Sequence, residues 1–320
     1  MPGRRALAGL DATISRRAAL ALACGSAASI VTGASHSVRA QAVPHKFKLG
    51  TAEITIISDG SMSLPLSFVL PKSEPALVAQ LLANRAQVPD AYAAQLNVTL
   101  IRTANALIAV DCGGGKDFMP TMGKSTDGLE QAGFRPADVT HVIFTHAHPD
   151  HFWGLIDPLD DDSRFPNARH IMTVVERDHW LKPGIEDTVP EAMRGITLGT
   201  SRRMKAIAKR IDAAKARAEI IPGVTLLDTA GHTPGHTSVL LNFDGQSLLI
   251  GGDALSHSVV SFERPNWVWG ADLDPQAAIA TRRRLLDQLA TDRIPLLGYH
   301  LPWPGLGRVE RKDGGYLFSA

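Results

Sequence analysis

Short apolar runs separated by turn residues dominate the chain. Residues 47–57 alternate between apolar and polar positions, the period-2 signature of a strand. The runs at 98–101 and 107–110 are close enough to pair as a hairpin, and 139–144 forms a further strand-like run ending in Val142-Ile143-Phe144. Similar runs recur at 224–227, 247–250 and 294–297. Helical spacing covers 121–133, where Gly133-Phe134-Arg135-Pro136 is a stop signal. A basic, Ala-rich stretch at 202–218 predicts a second helix. A third is predicted from Asp274-Pro275 to Leu289, with Asp274 as N-cap and Pro275 in the first turn. Strands alternating with helices make this an α/β chain.

Four of the strand-like runs end in residues that bind metals. Phe144 leads into Thr145-His146-Ala147-His148-Pro149-Asp150-His151, and Leu227 precedes Gly231-His232-Thr233-Pro234-Gly235-His236. Ile250 precedes Gly251-Gly252-Asp253, and Leu297 precedes Gly298-Tyr299-His300. One His or Asp after a strand is ordinarily a turn residue. Three imidazoles and a carboxylate within six residues are different: neutral imidazole and carboxylate suit zinc and its first-row neighbours, and one ion cannot easily use all four. The stretch reads as half of a two-metal site whose remainder lies downstream.

With these residues the sequence resembles the metallo-β-lactamase superfamily from about residue 47 onward, and within it the methyl parathion hydrolase-like group. The likeness runs through Ile57-Ser58-Asp59-Gly60, Val110-Asp111-Cys112-Gly113, the histidine motif, Gly231 to His236, Gly252-Asp253 and the closing His300-Leu301-Pro302-Trp303-Pro304-Gly305. The resemblance implies an αββα sandwich, a single domain over 41–320 built of two similar halves, and a possible homodimer. It implies that His146, His148 and His232 hold one divalent ion, that Asp150, His151 and His300 hold a second, and that Asp253 bridges them. Asp111 and His236 would support the ligands from behind. Zinc is the first expectation, although manganese, iron and cobalt accept the same ligands.

Departures narrow the reading. Asp253 stands where the zinc β-lactamases place a cysteine ligand, and Ser256 stands where acyl-homoserine lactonases of the superfamily carry a tyrosine. Only 20 residues follow His300, against the long helical domain of the glyoxalase II branch.

Composition and charge add a compartment. Ser15-Arg16-Arg17 precedes a small, mildly apolar stretch reaching about Val31, which reads as a twin-arginine signal peptide over residues 1–40. Val38-Arg39-Ala40 makes Gln41 the expected mature N-terminus. The twin-arginine export machinery is then a partner and the periplasm, or secretion, the destination. The stretch is too short and broken for a stable membrane anchor. Of 33 basic and 32 acidic residues, five and one fall in this segment, leaving 28 against 31. That balance argues against a nucleic-acid partner. Of the two cysteines, Cys24 leaves with the signal and Cys112 remains alone, so the mature chain has no intrachain disulfide.

The chemistry follows from the ligands. Two cations roughly 3.5–4 Å apart lower the pKa of shared water toward about 7, giving a hydroxide nucleophile at neutral pH, and polarise a C=O or P=O. Asp253 would set the spacing, and Asp150 could hand a proton to the leaving group. The expected substrates are small molecules: aryl esters, lactones or activated phosphotriesters. Phe118 and Trp180, by resemblance, and Trp267 and Trp269, by residue type, are candidates to line a pocket for a flat aromatic group. Two alternatives are hydrolytic dehalogenation of an electron-poor aryl halide and a non-catalytic metal-binding or sensor role.

Overall fold

Alternate residues of single strands enter different cores in the computed structural model, which describes residues 42–83, 91–156 and 162–320. The expected signal peptide and its cleavage site at Gln41 lie outside the described residues. Two seven-stranded sheets form, one in the order β1 to β7 and one in the order β14 to β8. The first comprises β1 (His45–Leu49), β2 (Ala52–Pro65), β3 (Ala91–Arg102), β4 (Leu107–Val110), β5 (His141–Ile143), β6 (Arg169–Thr173) and β7 (Ile211–Ala214). The second comprises β8 (Glu219–Ile221), β9 (Val224–Asp228), β10 (Thr237–Phe243), β11 (Gln246–Ile250), β12 (Leu296–Leu297), β13 (Leu306–Lys312) and β14 (Gly315–Ser319).

The strand period of two explains the layering. Ile54, Ile56, Ile101, Ile108, Val110 and Ile143 of the first sheet meet Val224, Leu226, Val239, Leu241, Leu248 and Ile250 of the second in one core. Their neighbours Leu100, Ala109 and Val142 face the opposite way, into a core completed by Val78, Leu129 and Met204 from helices. On the far side of the second sheet, Leu249 and Leu296 pack against Leu285, Leu286 and Leu289 of the helix Pro275–Asp292. Helix, sheet, sheet, helix is the expected sandwich. In both sheets antiparallel pairing gives way to parallel pairing near the middle, at β4–β5 and at β11–β12. The loops after β5 and β11 therefore open on the same side as the strand ends that carry the histidine motif and Asp253.

Local signals hold where turn chemistry is explicit. The hairpin of β3 and β4 pairs Thr99 with Val110. Asp274 Oδ1 accepts from the Ala277 amide at 3.0 Å, so the predicted N-cap forms, and the helix runs on to Asp292. The helix predicted over 121–133 is shorter, Ser125–Gln131, and stops as expected before Gly133 at φ +91°. The strand expected over 47–57 is instead a hairpin: Gly50, at φ +54°, turns the chain so that Leu49 pairs with Ala52.

The helix predicted over 202–218 is wrong in position. The observed helix is Glu191–Ile207, and Ile211–Ala214 is β7, parallel to β6. Alanines at 213 and 214 favour helix locally, but the free edge of β6 offers a ladder, and tertiary pairing overrides the weak preference. Gly195 and Gly199 disguise the true helix. Gly199 is there for packing, since a Cβ would lie 2.5 Å from the Trp153 ring.

Phe144 is fully buried and meets Phe152 edge-on at 5.2 Å, immediately beneath the histidine loop. Phe144→Ala is expected to cost about 3–5 kcal/mol in denaturant unfolding. A loss below about 1 kcal/mol would show that this ring is not the floor of the loop.

Candidate metal centre

Each candidate ligand is delivered by the end of a strand. The chain leaves β5, presents His146 and His148, and turns through the helical stretch Pro149–Phe152, which carries Asp150 and His151. The turn between β9 and β10 presents His232. The 3-10 turn Gly252–Leu255 after β11 presents Asp253, and the chain beyond β12 presents His300. His146 and His151 are fully buried, and Asp150, His232, Asp253 and His300 are no more than 6% exposed.

Their donor atoms converge. His146, His148 and His232 form one group within 4.8 Å, Asp150, His151 and His300 a second, and His146, His151 and Asp253 a third that shares members with both. His148 Nδ1 lies 2.9 Å from His232 Nε2, and His151 Nε2 lies 3.4 Å from His300 Nε2. Asp253 spans the groups: Oδ1 is 3.1 Å from His151 Nε2, whereas Oδ2 is 3.3 Å from His232 Nε2 and 3.2 Å from His300 Nε2. Asp150 Oδ2 is 3.4 Å from His151 Nε2 and 3.2 Å from His300 Nε2. Ligands bonded at about 2.0–2.2 Å to a tetrahedral ion stand roughly 3.3–3.6 Å apart, so these separations resemble the edges of coordination polyhedra.

The far sides of the rings fix which nitrogen points inward. His151 Nδ1 bonds Asp111 Oδ2 at 2.8 Å, His232 Nδ1 bonds Asp272 Oδ1 at 2.9 Å, and His300 Nδ1 bonds the Gln95 carbonyl at 2.9 Å. Each bond uses the Nδ1–H and leaves the Nε2 lone pair facing the centre. His146 Nε2, Asp150 Oδ2 and Asp253 Oδ1 are buried without a hydrogen-bond partner. Lone pairs converging at such distances repel one another unless a cation lies between them, so this donor set fits a pair of divalent ions.

Electrostatics point the same way. Burial, reinforced by neighbouring imidazoles, pushes His146 and His148 well below the usual histidine range, leaving them neutral, as ligands must be. Burial also opposes charge on His300, yet Asp253 and Asp150 raise it to about 9, and burial is likewise outweighed at His151 by Asp253, Asp150 and Asp111. Asp253 is held well below the carboxylate range, against burial, by His300 and His151. The carboxylates thus outweigh burial at His151 and His300, and the same field would favour a bound cation.

The family model described as the metallo-beta-lactamase superfamily matches residues 91–298. The chain belongs to the metallo-beta-lactamase superfamily. Among its relatives, the N-acyl homoserine lactonase of Bacillus cereus is 26% identical over 171 residues, 52% of this chain and 57% of that protein. The probable metallo-hydrolase Rv2300c of Mycobacterium tuberculosis is 29% identical over 140 residues, 40% of this chain and 41% of that protein. The chain thus spans about half the length of the curated relatives it matches. Among solved structures, the dizinc quorum-quenching lactonase AidC superposes with a TM-score of 0.82 at 28% identity, covering 86% of this chain and 96% of that one. The hydrolase AbOPH superposes with a TM-score of 0.79 at 30% identity, covering 87% and 97%. The relatives that this superfamily member matches thus include lactonases and metallo-hydrolases.

Behind the candidate ligands, Asp111 and His236 each make hydrogen bonds to the ligand-bearing loops. Asp111 adopts φ +60° and also accepts from the Thr145 amide and hydroxyl, both at 2.8 Å. His236 Nε2 accepts from the Asp253 amide at 3.0 Å, and burial followed by His232 lowers its pKa to about 3. Two carboxylates were not foreseen. Glu176, fully buried, accepts from the Ala147 amide, the Thr233 hydroxyl and the Gly235 amide at 2.7–3.1 Å, stapling the two histidine turns together. Its only sequence signal is Thr173-Val174-Val175-Glu176, a capping pattern in which Thr173 Oγ1 does accept from the Glu176 amide. Asp272 had no local signal.

The pocket candidates divide. Trp180 is 3% exposed, its ring edge-on to His148 at 5.9 Å and its indole N–H donated to Glu176 at 2.7 Å. Trp269 is 5% exposed and edge-on to Tyr92 at 5.1 Å. Both belong to the hydrophobic core, so neither is the open stacking wall that the sequence suggested. Trp267 and Phe118 are only partly buried, and Phe118 leans on Trp153 at 5.6 Å.

Elemental analysis of the purified chain is expected to give about two metal ions. Asp111→Asn keeps a residue type tolerated at φ +60° but removes the charge behind His151, so affinity for one ion should fall about 10- to 100-fold. Parental affinity for both ions in a competition titration would contradict that role.

Proposed function

We propose that this chain is a binuclear zinc hydrolase of lactones and aryl esters. The observation that carries the reading is the convergence of three ligand groups, the middle one, His146, His151 and Asp253, sharing His146 with the first and His151 with the last. Likeness to the dizinc lactonase AidC over most of both chains, and to Bacillus lactonases over part of theirs, supports lactone chemistry. His146, His148 and His232 would hold one ion and Asp150, His151 and His300 the other, with Asp253 between the two groups, its Oδ2 near both His232 and His300 and its Oδ1 near His151. Two such ions supply Lewis acidity and acidified water at neutral pH. Asp150, fastened through its carbonyl by the Tyr299 hydroxyl at 2.7 Å, would move the proton to the departing oxygen.

Ser256 does not stand against this reading. Its carbonyl accepts from the buried Tyr92 hydroxyl, so a phenol reaches the Asp253 loop from β3. Trp267 and Phe118, both partly buried, are the remaining candidates for an aromatic wall, and we propose Trp267 for that role. With zinc restored, N-hexanoyl homoserine lactone, dihydrocoumarin and p-nitrophenyl acetate should each be hydrolysed with kcat/KM at least about tenfold above methyl paraoxon or a cyano-activated aryl chloride. Chelation should abolish all turnover. Faster release of chloride or p-nitrophenol from the last two substrates would replace the proposal with dehalogenation or phosphotriester hydrolysis.

We also propose export to the periplasm by the twin-arginine route, on the strength of Arg16-Arg17 and the weakly apolar stretch behind them. Residues 1–41 fused to a folded reporter should carry it across the inner membrane, and replacing both arginines by lysine should retain it in the cytoplasm. Export unaffected by that change would point to another route.

A further inference from the structure

The segment that carries Trp267 and Trp269 is tied on one side to a candidate metal ligand and on the other to a buried guanidinium. The Leu273 amide donates to the His232 carbonyl and the Asp274 amide to the Gly231 carbonyl, both at 2.9 Å. Asp272, with a fully buried carboxylate, accepts from His232 Nδ1–H at 2.9 Å through Oδ1 and from Arg282 at 3.0 Å through Oδ2. The other terminal nitrogen of Arg282 donates to the Pro265 and Trp267 carbonyls, each at 3.0 Å. Arg282 is only 4% exposed, on the helix Pro275–Asp292. A planar guanidinium can serve a carboxylate and two carbonyls at once; an ammonium, a single point charge, cannot hold the same fork.

We propose that Arg282 and Asp272 are positioning residues that couple the Trp267 wall of the substrate pocket to the metal ligand His232. Asp272 sets the tautomer and direction of His232, and Arg282 both balances the Asp272 charge and fixes the backbone of the wall. The two tasks use different atoms, so they separate by substitution. The pocket half of the inference rests on the ester and lactone reading above; the metal half does not.

Three variants test it in the full chain: Arg282→Lys, Arg282→Met and Asp272→Asn. Zinc affinity is read by competition with a chromophoric chelator, and KM is read for p-nitrophenyl acetate against methyl acetate. Asp272→Asn and Arg282→Met should each weaken one of the two zinc ions by about 10- to 100-fold. Arg282→Lys, which restores the charge on Asp272 but not the bonds to both carbonyls, should keep parental zinc affinity and raise KM for the aryl ester alone, by about tenfold. Equal zinc loss in both Arg282 variants, or a rise in KM shared by both esters, would reduce Arg282 to a purely structural role and overturn the proposal. Parental zinc affinity in Asp272→Asn would overturn it as well. If Arg282→Met does not fold, the other two variants still decide. Failure of the parent to hydrolyse any ester would refute the functional reading while leaving the zinc comparison to judge the coupling.

Discussion

Everything in this molecule is arranged around the cost of placing carboxylates and imidazoles in a site from which water is almost excluded. Asp150, Asp253 and Asp111 are all nearly buried, and isolated charges in such surroundings are unfavourable by several kcal/mol each. Cations at the centre would remove that penalty on one side. On the other, a ring of second partners removes it for the ligands themselves: Asp111 behind His151, Asp272 behind His232, the Gln95 carbonyl behind His300. The sandwich supplies the rigidity. Two sheets packed through Ile, Val and Leu side chains hold the strand ends, and the ligands inherit that fixed geometry.

The ligands were legible because strand periodicity and turn chemistry are local. An apolar run that ends in His-x-His-x-Asp-His, or in Gly-Gly-Asp, announces both the strand and the residue it delivers. The αββα layering follows from the same alternation, visible in Leu107 to Val110, where successive residues enter opposite cores. Asp111 and His236 entered as candidate supports through the family resemblance rather than through any local pattern.

What escaped was set by distance along the chain. Glu176 acts on amides 29 and 59 residues away, and Asp272 on a ring 40 residues away, so no spacing rule contains them. The helix Glu191–Ile207 was missed for a related reason: its Gly199 is dictated by Trp153 across the interface, and the Ala-rich stretch after it pairs with β6. Trp180 was expected in the pocket by resemblance, whereas it is buried and its indole N–H belongs to the Glu176 network. Each miss is a case in which a partner elsewhere in the fold outweighed local preference.

The anchoring of His300 bears on how the protein comes into being. Its ring is oriented by the Gln95 carbonyl, 205 residues earlier, and Asn97 bonds the carbonyls of Gly298 and Leu301 on either side of it. During synthesis the first histidine cluster therefore emerges long before the strand that will complete it. A chain lacking its last strands would still carry His146 and His148, but it could not close the second group, which needs His300. The second ligand group is therefore a long-range structure, complete only when the first and last parts of the described chain have come together.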